Sequence, residues 1–395
     1  MTFQDRLDRA KKGVEQSGLK DALVVHHDEA DGLCSGALTK VAIEKLGLST
    51  QLICLDKLYL EVVRDIESRP RRVIAYADIG SGHVETLSKW NQSNNLILTL
   101  DHHDTRDLGD SNVHNLNPEL DGFAGETDVS SSTVAYMFVK TVDSSATDLA
   151  PLAIIGSTEI PGETRGLNKI PLEDGKKAER VIQTGRSLKL EVSGTSVSPT
   201  RASTVLNVLG SVGYYRQGPE TGVKACLKGF HREIIQQAGK LEDERKRANQ
   251  KMLGKIRESG LKQMKNIQWF HAKDNYKGMS GKVVGSFCSY LSYQRLVNPM
   301  KYLIGIMNVP PDIPGWGKLP SAMVKVSGRV PQPLAKEINA GKRLALSKIL
   351  PEACEKLGGF GDGHTVAASG VLPVGVGAEE MFLGEIDRLA KPSLY

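Results

Sequence analysis

The stretch LILTLDHHDT, Leu96–Thr105, starts as an apolar run and stops abruptly at Asp101, His102, His103 and Asp104. A run of this length bounded by polar residues suits a strand buried on both faces and is short for a helix. The four polar groups then fall at the strand's carboxyl end, where open α/β sheets bind their ligands.

The same pattern occurs twice upstream. ALVV (22–25) is followed by HHDEADG, His26–Gly32, and RVIAYA (72–77) is followed by Asp78. Helical patterns lie between these runs, at Gly36–Leu46 and near Val84–Trp90. SSSTVAYMFVKTV (130–142) opens on a serine cluster suited to capping a helix, and PLAIIGSTE (151–159) reads as one more strand. Short apolar runs alternating with helical patterns predict an α/β protein whose N-terminal domain is a doubly wound parallel sheet.

Further along, Ile234, Ala238, Leu241, Ala248 and Met252 recur at helical intervals among charged residues, with Arg245 in the seam. This predicts one long surface helix from Ile234 to Arg257, linking the domains. The runs at 267–274, 282–292, 300–308 and 322–330 read as strand, helix, strand, strand, which makes a smaller C-terminal α/β domain. The expected organisation is therefore 1–190, a connecting region with the long helix over 191–265, and 266–395.

Composition bounds the class. The 395 residues are 40% apolar and 25% charged, with a net charge of +5, and no window reaches the apolar length of a membrane helix. The charge permits an anionic partner without requiring one. The N-terminal MTFQDRLDRAKKGVEQSGLKD carries no secretory pattern, and Cys34, Cys54, Cys226, Cys288 and Cys354 form no CxxC pair. Both features lead us to expect a cytoplasmic protein with reduced thiols and no membrane association.

Adjacent parallel strands would gather the three polar clusters at one sheet edge. Carboxylates mixed with imidazoles and no thiolate suit a hard or borderline divalent ion such as Mn²⁺ or Mg²⁺. Several carboxylates in one cleft repel unless cations neutralise them. Two ions roughly 3.5–4 Å apart would meet that need, activate a water and clamp a phosphoryl oxygen, so hydrolysis of a phosphoester is the expected reaction.

Asp101-His102-His103 resembles the signature of the DHH phosphoesterase superfamily, which includes RecJ-like exonucleases and oligoribonucleases. HDEADG (27–32) is similar to the family's first motif, Asp78 in YADIG to its second, and LNPELDGFAGETDVSSSTVAYMF (116–138) to a segment of archaeal RecJ-like members. GGFGDGHTVAASG (358–370) resembles the glycine-rich motif of the accessory DHHA1 domain.

The resemblance implies metal ligation by Asp31, Asp78, Asp101 and His102, with His103 near the second metal or the scissile phosphate. Where the first motif usually carries an aspartate this chain has Glu29, with Asp28 beside it; the fourth motif's aspartate is replaced by Glu159 or, further on, Glu163. In the DHHA1-like segment the resemblance implies that Gly361, Gly363 and His364 hold the nucleic-acid end, and Arg329 and Lys325 are candidates to clamp a phosphate. Asp362 stands where the family often has glycine. SVGYYRQG (211–218) offers Tyr214 and Tyr215 either to the core or to unpaired bases.

The function expected is a Mn²⁺-dependent exonuclease or short-oligonucleotide phosphodiesterase acting on single-stranded DNA or RNA by a two-metal mechanism. One alternative is a phosphatase or phosphodiesterase of small nucleotides, such as a cyclic dinucleotide or a bisphosphorylated nucleoside. Another is a replication-associated scaffold that binds replication or repair proteins such as the GINS complex.

Overall fold

The computed structural model describes residues 2–375 and 377–392. β1 (Asp21–His27), β2 (Ser49–Leu55), β3 (Val73–Ala77), β4 (Leu96–Leu100) and β5 (Val113–Leu116) form one sheet in the order β2-β1-β3-β4-β5. All four pairings are parallel, so every carboxyl end lies on one edge. The strand order reverses between β1 and β3, the place where a doubly wound sheet opens a crevice. β3 and β4 are buried at all five of their positions, as a strand covered on both faces requires.

The helices around this sheet are α1 (Phe3–Gln16), α2 (Ala30–Lys45), α3 (Leu60–Ser68), α4 (Val84–Trp90), the single-turn α5 (Gly125–Asp128), α6 (Ser131–Val142) and α7 (Ala150–Gly156). α2 packs on α6 and α7, and α3 packs on α4. Ser130 caps α6 by accepting from the Thr133 N–H, as the serine cluster suggested. α2 begins at Ala30, six residues before the expected start, which places Asp31 and Gly32 in its first turn. A Cβ on Gly32 would come within 2.6 Å of the His27 carbonyl oxygen, so glycine lets the helix lie against the end of β1.

One expected strand is a helix. PLAIIGSTE forms α7 followed by a 3-10 turn over Ser157–Glu159. Pro151 occupies the first turn, where its missing N–H costs nothing, and all seven residues of α7 are buried. An apolar run buried on every side carries no periodicity to separate helix from strand.

Beyond α8 (Lys169–Lys177), an antiparallel sheet of β6 (Val181–Thr184), β7 (Ser187–Val192) and β8 (Thr195–Val197) precedes α9 (Pro199–Asn207), α10 (Gly218–Lys228) and the long α11 (Arg232–Ser259). Two compact units divide within α11: Met1–Lys240 with Pro314–Trp316, and Leu241–Ile313 with Gly317 onward. The expected connecting region is thus shared, its residues up to Lys240 belonging to the first unit.

In the second unit, β9 (Lys262–Gln263), β10 (Ile267–His271), α12 (Lys282–Leu291) and β11 (Tyr302–Val309) are followed by the β12 (Asp312–Ile313) and β13 (Gly317–Lys318) pair. Then come β14 (Met323–Arg329), α13 (Gln332–Asn339), α14 (Leu346–Glu355), β15 (Phe360–His364), β16 (Ala367–Pro373) and α15 (Ala378–Leu389). Its mixed sheet runs β15-β16-β14-β11-β10-β9 over a core that includes Ile304, Val326, Leu350 and Phe382.

Away from the carboxyl edge, Glu67 of α3 is buried and accepts from the Tyr76 hydroxyl (2.8 Å) and the Asn95 amide (3.3 Å). Burial raises its pKa from 4.5 to about 7, against the pull of those two donors. The folded state therefore favours the protonated acid, a contribution complete below the unfolded pKa and lost as pH rises through about 7. The rise corresponds to about 3 kcal/mol at most. Glu67→Gln should flatten the pH dependence of urea-unfolding stability between these limits; an unchanged slope would contradict the assignment.

Candidate metal centre

β1, β3 and β4 end in His27, Ala77 and Leu100, and the residues that follow converge at the carboxyl edge. Asp78 leaves β3 with φ 62°, a left-handed conformation rare for a residue with a side chain, while its N–H donates to the Leu100 carbonyl at 2.9 Å. This turn sets the buried Asp78 carboxylate between two imidazoles. Oδ2 is 3.3 Å from His27 Nδ1, and Oδ1 is 3.8 Å from His102 Nε2. His102 Nε2 is also 3.8 Å from Asp31 Oδ2, and His27 Nδ1 is 3.8 Å from Glu29 Oε2.

Each group is held from behind. Asp31 accepts from the Ser131 (2.9 Å) and Ser132 (2.8 Å) N–H groups, the open N-terminus of α6. Gly156 at the end of α7 closes on the same place, since a Cβ there would meet Asp31 Oδ1 at 2.4 Å. His102 Nδ1 is 2.8 Å from the Gly125 carbonyl, which can only accept; the proton therefore sits on Nδ1 and the Nε2 lone pair faces the carboxylates.

Asp101 has a different place. Its Oδ1 accepts from the His102 N–H (2.8 Å) and from His103 Nδ1 (2.6 Å), and its Oδ2 accepts from the Ser81 N–H (3.0 Å). It organises the turn that presents both histidines. Asn117 supports the same turn by donating to the His103 carbonyl at 2.6 Å. Asp104 is exposed, and Thr105 next to it bonds Ser81 and Asn115.

The charges are strongly coupled. Burial, reinforced by the Asp78 carboxylate, raises Asp31 to about 6. Burial also opposes ionisation of Asp78, yet His27, His103 and His102 hold it below its usual value. Asp101 is held well below the usual range, chiefly by His103 against burial. For His103 burial acts downward, but the Asp101 carboxylate outweighs it and pushes the imidazole up to about 10.

These residues fit a divalent cation. Asp78 Oδ1 is buried and has no hydrogen-bond partner among the described residues. Asp78, His102 and His103 each offer one ligand atom, all within 4.8 Å of one another. Ligand atoms about 2.1 Å from an ion stand roughly 3–3.5 Å apart at neighbouring positions, close to the spacings found here.

Asn207 of α9 bridges to Glu159, donating to it at 3.0 Å while accepting from the Ala30 N–H at 2.7 Å. Glu159 is thereby joined to the first turn of α2 through one amide. Glu163 is exposed. Asp28 is buried, with Oδ1 3.5 Å from His27 Nε2, so it and Glu29 stand beside opposite nitrogens of one ring.

Sequence reading had not assigned His27 or Asn207. His27 lay inside the HHDEADG cluster, but alternation along a strand does not say which of two adjacent histidines faces the site. His26 is the other: buried, it bonds the His27 carbonyl at 2.9 Å, and burial lowers it to about 4. Asn207 carries no sequence signal, being 177 residues from the N–H it accepts.

In the second unit, Arg329 of β14 and His364 of β15 are both in register with Ala367 of β16, from opposite sides. They share one face, with an alanine between them. Arg329 Nε donates to the Ser289 hydroxyl at 2.7 Å. The glycine-rich segment is a β-hairpin, in which Gly361 pairs with Gly370 and Gly363 with Ala368. Gly363 is required by close approach, since a Cβ would come within 2.3 Å of Ala368 Cα. Lys325 is buried beside Gly281 at the start of α12. Tyr214 belongs to the core: it is fully buried, and its hydroxyl donates to the Cys54 carbonyl at 2.7 Å. All five cysteines are buried, and no helix among the described residues is long and apolar enough to cross a membrane.

No family model matches the chain. An uncharacterized protein of Methanocaldococcus jannaschii is 28% identical over 167 residues, 39% of this chain and 36% of that protein. RecJ of Thermus thermophilus, solved with Mn²⁺, superposes with a TM-score of 0.65 at 16% identity, covering 98% of this chain and 55% of that one. The chain thus spans about half of that RecJ and about a third of the M. jannaschii protein. The DHH domain of a member of a ribosomal-protein family gives 0.60 at 15% identity, over 97% and 89%. CDC45 of Entamoeba histolytica gives 0.56 at 11%, over 97% and 98%. With its parallel five-stranded sheet and mixed six-stranded sheet, this chain shares the fold of that RecJ and of that DHH domain.

Proposed function

We propose that the chain is a metal-dependent phosphodiesterase, an exonuclease that hydrolyses single-stranded DNA or RNA or short oligonucleotides. The observation that carries this reading is the buried Asp78 carboxylate, with one oxygen lacking a hydrogen bond, between the His27 and His102 imidazoles at the sheet's carboxyl edge.

Glu29, Asp31, Asp78, Asp101, His102 and Glu159, with His27 added from the geometry, would hold two divalent ions, Mn²⁺ or Mg²⁺. When bound, such ions activate water and neutralise phosphoryl charge.

The protein's own part is orientation. The α6 N-terminus fixes Asp31, the Gly125 carbonyl fixes the tautomer of His102, and Asp101 fixes His103 beside the site. With Nδ1 bound to Asp101, His103 keeps Nε2 to donate to a phosphate oxygen. Arg329 and His364, with Gly361 and Gly363 shaping their hairpin, would bind the substrate backbone, Arg329 as a charge-assisted donor. A small-nucleotide phosphodiesterase would use the same machinery; turnover that does not rise with oligomer length would identify it.

Asp78→Asn and His102→Ala should each lower Mn²⁺-dependent release of nucleotides from end-labelled single strands by more than about 100-fold, beyond the usual loss at a residue that only supports a ligand. Equal activity in wild type and both variants would refute the site. Labelling either end of DNA and RNA in the same assay reports polarity and sugar preference.

The second reading, a replication-associated binding protein without catalysis, is favoured by glutamate at 29 and 159 and by the CDC45-like fold. Calorimetric titration separates the two. The enzyme should bind Mn²⁺ in wild type and weaken by at least about tenfold in Asp78→Asn, whereas the scaffold should show no carboxylate-dependent heat.

A further inference from the structure

The second unit carries a small cavity that none of the site residues above enters. It is about 200 Å³ and is lined by Lys246, Asn249, Gln250 and Leu253 of α11 and by Tyr290 of α12. The four α11 residues follow a three-four-seven spacing and so form a single stripe on the helix. This stripe is not the one that buries α11, which runs through Leu241, Met252 and Ile256.

The lining has the parts that bind an unpaired base. Tyr290 is 48% exposed although it extends an aromatic cluster, its ring 6.2 Å from that of Phe287. Asn249 is held with its carbonyl oxygen accepting from the Tyr276 hydroxyl at 2.9 Å, which leaves its NH₂ as the group for a ligand. Gln250 is exposed beside it, and a side-chain amide offers a donor and an acceptor to a base edge.

The surroundings match the rest of a nucleic-acid strand. Lys246 and Arg257 of α11 are exposed on the side of this stripe, and Arg295 is exposed just beyond α12. Of the exposed large apolar side chains among the described residues, Tyr290, Tyr293, Leu296 and Met300 fall within one short segment. Rings and apolar groups interleaved with cations are the makings of a stacking platform for single strands. Lys246 is 3.9 Å from the Asp243 carboxylate, an exposed pair from which a phosphate can take the lysine.

We propose that the cavity between α11 and α12 receives one unpaired base of a bound single strand, with Tyr290 stacking on it, the Asn249 and Gln250 amides at its edge and Lys246 on the adjoining phosphate. This rests on the nucleic-acid reading above.

The test is binding of a labelled oligothymidylate to the full chain in EDTA, where hydrolysis is stopped, with a duplex of equal length as comparison. Tyr290→Ala should weaken single-strand binding by about 5- to 150-fold and leave duplex binding unchanged, while Tyr290→Phe retains it, because the ring and not the hydroxyl stacks. Lys246→Gln should reduce the salt slope by about 0.7, the share of one phosphate on a single strand. Photocrosslinking of 5-iododeoxyuridine in the strand should map to Tyr290.

If the wild type binds and Tyr290→Ala binds equally well, the base site is refuted while the nuclease reading stands. If Tyr290→Ala weakens strand and duplex alike, the surface is only electrostatic and the base site is again refuted. If the wild type neither binds nor cleaves any oligonucleotide, both readings fall. Tyr290 lies at the surface, so equal unfolding temperatures of wild type and variant confirm that the fold is kept.

Discussion

Among the carboxylates buried at the carboxyl edge of the parallel sheet are Asp31, Asp78 and Asp101, and much of the first unit is arranged around the cost of putting them there. Like charges out of water raise one another's pKa unless donors or cations answer them. Each carboxylate is answered differently: Asp31 by the open end of α6, Asp101 by the turn it organises and by His103, Asp78 by imidazoles on both sides. Asp31 nevertheless stays raised to about 6, by burial first and by the Asp78 carboxylate second, against the pull of His102 and the Ser132 bonds. A site that retains excess negative charge and an unbonded carboxylate oxygen is prepared for a cation.

Small residues let this edge close. Gly32 allows α2 to follow β1 directly, so that Asp31 stands in the helix's first turn, and Gly156 lets α7 approach Asp31 from the other side. The buried helix α7 accordingly belongs to the site's support, although it supplies no carboxylate of its own to the cluster. Asn207 extends the support to α9, joining Glu159 to the backbone of α2 through a single amide.

The second unit is organised on other terms. Its sheet is mostly antiparallel, with the single parallel pair β10–β11, and its candidate groups come from strand register rather than from strand ends. Arg329 and His364 are brought to one level by their common partner Ala367. The glycines of that segment serve close strand packing in the hairpin, a use that their density alone does not distinguish from a loop wrapped round a phosphate.

By itself the sequence pointed to the parallel sheet, because short apolar runs that alternate with helical patterns and end in polar clusters suit buried strands whose carboxyl ends share one edge. It likewise singled out Asp78 and the Asp-His-His turn as candidates, because each follows directly on an apolar run. Only the tertiary structure decided that PLAIIGSTE is a helix, since full burial erases the periodicity that would separate the two forms. It also decided that His27 rather than His26 faces Asp78, that Asp101 holds the turn, and that Asn207 links Glu159 to α2. These are contacts between distant segments or choices of side-chain face, and both depend on how a chain packs rather than on which residues it lists.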